Sequence, residues 1–410
     1  MMPRSTLVTG IGELITNDEH HGGRLQDAAV VLEGERIAWV GAAAAAPSAD
    51  ERVDVAGRAV LPGWVDAHTH LVFAGDRSAE FEARMAGEAY AAGGIATTVA
   101  ATRAASDATL QASLDGLVDE ALHGGTTAFE TKTGYGLTVA DEARSARIAA
   151  TRADAVTFLG AHLVPDGRDQ AAYLDEVTGP MLAAVLPHVD AIDVFCERGA
   201  FDEAASRRVL EAGRAAGLAV RVHGNQLGPG PGVRLALELG ARSVDHVGFV
   251  DDDEIAGLAA SWADGARGTV ATLLPACDLS TRMPLAPARA LVDAGAVVAI
   301  ATNANPGTSS TTSMAFCVAT AVLQQHLTVA EAVRAATLGG AIALGRDEPR
   351  AGAPDLGRIR AGARADLHVL DAPSAAHLAY RPGVPLTHAV WRAGERVVWP
   401  RGRSERTASA

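Results

Sequence analysis

The 410-residue chain is 48% hydrophobic, enough for one large buried core plus a smaller module, and its net charge of −14 argues against a nucleic-acid partner, whose phosphates most of the surface would repel. No apolar run approaches the roughly 20 residues that span a bilayer, so no membrane partner is expected. Cys196, Cys277 and Cys317 lack any paired spacing and no basic-then-hydrophobic leader is legible, so a cytoplasmic protein with buried free thiols is expected.

Residues 1–61 read as short strands broken by Gly and Asp, such as 29–33 and 36–40, with the alanine run at 42–46 as a connection. A different pattern follows. Apolar runs at 60–67, 126–132, 155–161, 191–196, 218–222, 243–246, 269–274 and 297–302 alternate with alanine-rich helical segments. Eight such units predict an α/β fold, a (β/α)8 TIM-like barrel of parallel strands. Short-strand character returns at 365–370, 388–391 and 396–399. Both chain ends are therefore expected to share a small β-sandwich domain, residues 1–61 with 357–410, beside a barrel of residues 62–356.

What stands at the end of each run carries the chemistry. In order the runs end on His68 and His70, Lys132, His162, Glu197, His223, His246 and Asn303, while the seventh ends in plain Leu-Leu-Pro. Barrel chemistry gathers at the C-terminal ends of the strands, so these side chains should converge on one mouth. His68 and His70, two apart on a strand, point to the same side and can reach one ion together; with His223 they offer three neutral imidazoles, which suit Zn2+ or Fe2+ with a position left open for water. Such an ion lowers the pKa of bound water to about 7 and makes hydroxide available. His246 is placed for proton transfer, or else is a hydrogen-bonded core residue, and the same two readings apply to His162. Lys132 is the only lysine among 35 basic residues. A protonated amine has no lone pair for a metal, so Lys132 is expected to donate to a carboxylate such as Glu197.

The His-x-His run with its later partners resembles the amidohydrolase superfamily, metal-dependent hydrolases on a (β/α)8 barrel with a β-sandwich made by both chain ends. Further stretches resemble one of its families, the imidazolonepropionases of histidine degradation: His68-Thr-His-Leu-Val-Phe-Ala-Gly-Asp-Arg77, Lys132-Thr-Gly-Tyr-Gly-Leu137, Gly160-Ala-His162, Asp193-Val-Phe-Cys-Glu197, and Asn305-Pro-Gly-Thr308 with Ser313-Met314. The resemblance covers nearly the whole chain. It implies metal binding by His68, His70 and His223, and substrate contacts from Arg77, Tyr90, Tyr135, His162, Asn305 and Thr308. A propanoate-bearing ring needs a cation, and arginine binds carboxylate bidentately. Arg77 is the choice, although an ion pair with Asp76 or Glu80 is the plainer reading of that side chain.

Two positions depart from the family pattern. Asn303 stands where an aspartate is usual after strand eight, and His223-Gly-Asn-Gln226 stands where His-Ala-Asp-Glu is usual. Asn303 can give the metal only a neutral carbonyl oxygen, and Gln226 cannot accept a proton at neutral pH. Even so, the expected activity is hydrolysis of 4-imidazolone-5-propanoate to N-formimidoyl-L-glutamate by metal-bound hydroxide, with one divalent metal, Zn2+ or Fe2+/Fe3+, and with His246, Gln226 and Asn303 at the reacting centre. The alternatives are another cyclic amidohydrolase or aminohydrolase on a small heterocycle, or a non-catalytic binding protein on the same scaffold. The expected partner is a small-molecule substrate, and the expected assembly a homodimer.

Overall fold

The computed structural model describes residues 4–87, 94–350 and 353–399. Its strands fall into two sheets of eight. The first is built from both ends of the chain: β1 (Ser5–Ile15), β2 (Arg24–Glu33), β3 (Arg36–Ala42), β4 (Glu51–Asp54), β5 (Ala59–Pro62), and then, some 300 residues later, β14 (Leu367–Leu370), β15 (Thr387–Arg392) and β16 (Glu395–Val398). It is mixed: β1 pairs antiparallel with β2 and parallel with β4 and β5, and β5 pairs antiparallel with β14. Val8, Ile11, Leu14, Val30, Leu32, Val60, Leu367 and Trp391 form its apolar core.

The second sheet is all parallel and runs in chain order through β6 (Trp64–Asp66), β7 (Thr126–Lys132), β8 (Ala155–Ala161), β9 (Ala191–Cys196), β10 (Ala219–Gly224), β11 (Ser243–His246), β12 (Val270–Leu273) and β13 (Val298–Ile300). Each of the eight apolar runs overlaps one of these strands, and β10 extends two residues past its run. Parallel strands buried on both faces read as continuous apolar stretches, which is why the runs were visible. The first and last strands meet just past their ends, where the Asn303 N–H donates to the His68 carbonyl at 3.0 Å and the His70 N–H to the Ala304 carbonyl at 2.9 Å. Outward side chains such as Ile192, Val194, Val222, Val244 and Ile300 share one cluster with Leu210, Val233, Leu258, Leu291 and Val318 of the surrounding helices.

The run at 60–67 divides. Ala59–Pro62 belongs to the terminal sheet, and the barrel begins at Trp64 after Gly63, where a Cβ would come within 2.1 Å of Thr127 Oγ1. Polar contacts tie the two sheets together: Arg364 reaches Asp154 at 2.5 Å and the Thr127 carbonyl at 2.9 Å, and Arg392 reaches Asp154 at 3.2 Å. Asp154 is buried, yet Arg364 and Arg392 hold its carboxyl below the usual value against the cost of burial.

Candidate active site and metal centre

Strand alternation places two layers of side chains inside the barrel mouth. The lower layer is charged and closed to solvent: Glu130, Lys132, Asp193, Arg221 and Asp245 are at most 2% exposed. Lys132 Nζ lies 2.8 Å from Glu130, 2.9 Å from Asp193 and 3.7 Å from Asp245, and Arg221 reaches Asp245 at 3.2 Å. The expected pairing of Lys132 with Glu197 is not formed. Glu197 instead accepts the backbone N–H groups of Gln226 and Leu227, because it lies past the end of β9 while the ammonium points down into the barrel.

The upper layer is a ring of imidazoles held by those carboxylates. His68 Nδ1 donates to Asp245 at 2.7 Å, which fixes the tautomer and turns the Nε2 lone pair toward the mouth. His223 Nδ1 lies 3.0 Å from Asp193, whose other oxygen accepts the His223 N–H at 3.1 Å. Burial works against both carboxylates, but His223 and Lys132 hold Asp193, and Arg221 holds Asp245, well below the ordinary range. Burial in turn keeps His68, His70 and His246 well below their usual value and so neutral, the form that binds metal. His70 Nε2 faces His68 Nε2 at 3.3 Å.

Donor atoms of His68, His223 and His246 lie within 4.8 Å of one another. This is not the trio expected from the sequence: His246 joins His68 and His223, and His70 approaches through His68. His246 closes β11 at φ +84° and Val247 follows at φ +48°, a pair of left-handed non-glycine residues of the kind that clusters at functional sites. The Nδ1 atoms of both His70 and His246 are buried without a partner among the described residues, an arrangement costly in the absence of a ligand.

His70, Arg77, Tyr135, His162, Phe195, His223, Gln226, His246, Asn303, Asn305 and Thr308 all line one cleft. Tyr90 lies outside the described residues. Tyr135 is presented by a loop wrapped around the buried Glu142 carboxylate, which accepts the N–H groups of Gly134, Gly136 and Leu137 at 2.8 to 3.0 Å. His162 stacks on His70 with centroids 5.7 Å apart, donates from Nδ1 to the Gly134 carbonyl at 2.9 Å, and is pushed down to about 4 by burial.

The geometry shows how three further residues of the cleft are held. Arg77 is 6% exposed, but its guanidinium already makes a bidentate pair with Glu80 at 2.7 and 2.8 Å, with Nη1 left beside Gly307. Asn305 spends its side chain on its own loop, its Oδ1 accepting Gly307 and Thr308 N–H groups at 2.8 Å, so it shapes the wall and leaves Thr308 to present a hydroxyl. Asn303 sits at φ +53°, a conformation asparagine tolerates, with Nδ2 3.5 Å from Thr308 Oγ1. Sequence reasoning missed Cys277, which it read only as a buried thiol: its Sγ lies 3.8 Å from Nε2 of Gln226, directly behind that part of the cleft wall.

The model of the amidohydrolase family matches residues 59–397. The chain is 64% identical over 403 residues to the imidazolonepropionase of Paenarthrobacter aurescens, covering 96% of this chain and 98% of that one. It is 56% identical to the imidazolonepropionase of Streptomyces griseus, covering 96% and 100%. In fold it matches a zinc-bound adenosine deaminase from Xanthomonas campestris, with a TM-score of 0.68 at 22% identity over 99% and 95% of the two chains. It also matches a zinc complex of atrazine chlorohydrolase from Arthrobacter aurescens, with a TM-score of 0.69 at 19% identity over 97% of each. The chain belongs to the amidohydrolase family and, within it, to the imidazolonepropionases.

Proposed function

We propose that this protein hydrolyses 4-imidazolone-5-propanoate to N-formimidoyl-L-glutamate in histidine degradation. The observation that carries this is the 64% identity, over almost the full length of both chains, to enzymes named for that reaction. The cleft agrees with it in offering an arginine, a tyrosine and neutral imidazoles to a small polar ring.

The donor set fits one divalent metal, zinc or iron, held by His68, His70 and His223 with the Asn303 carbonyl oxygen able to assist. Three buried imidazoles, two of them with facing nitrogens at 3.3 Å, are what such an ion would satisfy. When bound, the ion acts as a Lewis acid that polarises a carbonyl and activates water near neutral pH.

The chain's own residues do the rest. Asp245 and Asp193 fix the orientations of His68 and His223, so the ring of imidazoles is set before substrate arrives. His246, neutral at the mouth, accepts the proton released by the attacking water and returns it to the departing ring nitrogen. Gln226 and Thr308 supply neutral hydrogen bonds to the ring, Tyr135 and His162 form its walls, and Arg77 receives the propanoate through the edge not engaged by Glu80. Beyond this, the protein works in the cytoplasm as a homodimer.

Turnover of 4-imidazolone-5-propanoate by metal-loaded protein, followed by loss of imidazolone absorbance, tests the reading. Formation of N-formimidoyl-L-glutamate is expected, and both this turnover and metal binding should be lost in a His68→Ala, His70→Ala double variant. Metal-loaded protein that binds the compound without consuming it would leave a binding protein on an enzyme scaffold, which the two amides at 226 and 303 make the specific rival.

A further inference from the structure

The seventh barrel strand, β12, ends at Leu273, one residue before the short helix Pro275–Thr281, which carries Cys277 and Asp278. Donor atoms of His246, Cys277 and Asp278 all lie within 4.8 Å of one another, and all three residues are buried. Ligand atoms around a tetrahedral zinc, at about 2.0 to 2.3 Å from the ion, sit roughly 3.3 to 3.8 Å apart, so a small contraction would close the set. Thiolate, imidazole and carboxylate are zinc's usual donors, and the thiolate selects for a soft cation over magnesium or calcium.

Two independent observations point to a missing ligand. His246 Nδ1 is buried and has no hydrogen-bond partner among the described residues. Asp278 is 3% exposed, makes no ion pair among the described residues, and accepts a single long backbone N–H from Ala286 at 3.3 Å. A carboxyl so placed is pushed up to about 8 by burial, and a cation is what would offset that cost.

We propose that His246, Cys277 and Asp278 form an auxiliary zinc site just behind the wall of the active-site cleft, separate from the ion expected on His68, His70 and His223. Zinc entering it displaces the protons of the Cys277 thiol and the Asp278 carboxyl to solvent and takes up a lone pair of His246. An imidazole carries a nitrogen on each side of its ring, so His246 can answer to this group as well as to the first. Occupation of the auxiliary site withdraws His246 from proton transfer, and zinc beyond the first equivalent inhibits. The inhibition rests on the role proposed for His246 in the reaction; the site itself does not.

Zinc titration of metal-free full-length protein, with bound metal measured after gel filtration, should reveal two ions of unequal affinity in the wild type and one in Cys277→Ser and in Asp278→Asn. Cobalt(II) in place of zinc should give a thiolate-to-cobalt charge-transfer band in the near ultraviolet that survives His68→Ala and vanishes in Cys277→Ser. Where turnover is present, the activity lost between the first and second equivalent should be lost in wild type and retained within each of the two variants. A single ion in zinc-saturated wild type, or the absence of a sulfur-to-cobalt band, overturns the site. Two ions with no inhibition retains the site and overturns its effect on His246, and no turnover at any loading overturns the hydrolase reading while the titration still decides the site.

Discussion

Replacing Lys132 with Met removes an ammonium that lies 2.8 Å from Glu130, 2.9 Å from Asp193 and 3.7 Å from Asp245, all four side chains fully enclosed. Breaking a buried ion pair by deleting one partner costs about 3 to 5 kcal/mol, because the other charge is left desolvated. Here one deletion takes the ammonium from two carboxylates, Glu130 and Asp193, that have no other lysine or arginine in contact among the described residues, so the upper end of that range is expected, a third or more of a total stability of roughly 5 to 15 kcal/mol. Because Asp193 abuts His223, bound metal should fall along with stability. Lys132→Arg keeps the charge but forces a wider, planar head into a filled interior at a cost of about 1 to 3 kcal/mol, and should fold with reduced turnover. Urea unfolding followed by circular dichroism measures the first effect, and metal content and turnover the second. Unfolding within about 1 kcal/mol of wild type for Lys132→Met, a change typical of an exposed site, would refute the reasoning.

Other expectations follow from the same geometry. Arg77→Met should raise KM for the propanoate substrate by a factor of roughly 10 to 150, the equivalent of a 1.5 to 3 kcal/mol charge-assisted hydrogen bond, and an unchanged KM would assign Arg77 wholly to Glu80. Asn303→Asp should slow loss of metal to a chelator by adding an anionic ligand; equal loss rates would mean that position 303 does not face the ion. Glu331, paired with Arg289 at 2.9 Å and capping the helix Val329–Arg334, is held down to about 2, principally by Arg289. Its folded value lies below the unfolded one of about 4.3, so its stabilisation is present above that pH and is lost as pH falls toward 2. The melting-temperature difference between wild type and Glu331→Gln should therefore be present at pH 7 and shrink below pH 4; a constant difference would contradict it.

How much of this was legible in the sequence differs by layer. The eight barrel strands were readable because their burial on both faces leaves largely apolar runs, and the mouth because His68, His70, His162, His223 and His246 stand at the ends of those runs. The split of the run at 60–67 was hidden, since Gly63 turns the chain between two sheets without changing its hydropathy. The charged layer was present in plain view as Glu130, Asp193, Arg221 and Asp245 inside apolar strands. Glu130 and Arg221 stand two residues before Lys132 and His223, the spacing that keeps a side chain on the same inner face one step lower. That signal could have predicted the partners of Lys132. The use of Arg77 by Glu80, three residues on, and the approach of Cys277 to His246 depend on how loops fold back, which no local pattern records.

The distribution of charge across the two layers has a consequence for what the cleft admits. Its wall carries amides at 226 and 303 and imidazoles that burial keeps neutral, so an anionic ring approaching from solvent meets no carboxylate in those positions. The negative charge lies behind it: three carboxylates against the two cations Lys132 and Arg221, sealed from water. Shielded from incoming ligands by a sheet of rings, that excess acts only on what is held by the rings themselves. Attraction for a cation and tolerance of an anion, which a carboxylate in the wall would set against each other, are thereby separated by depth.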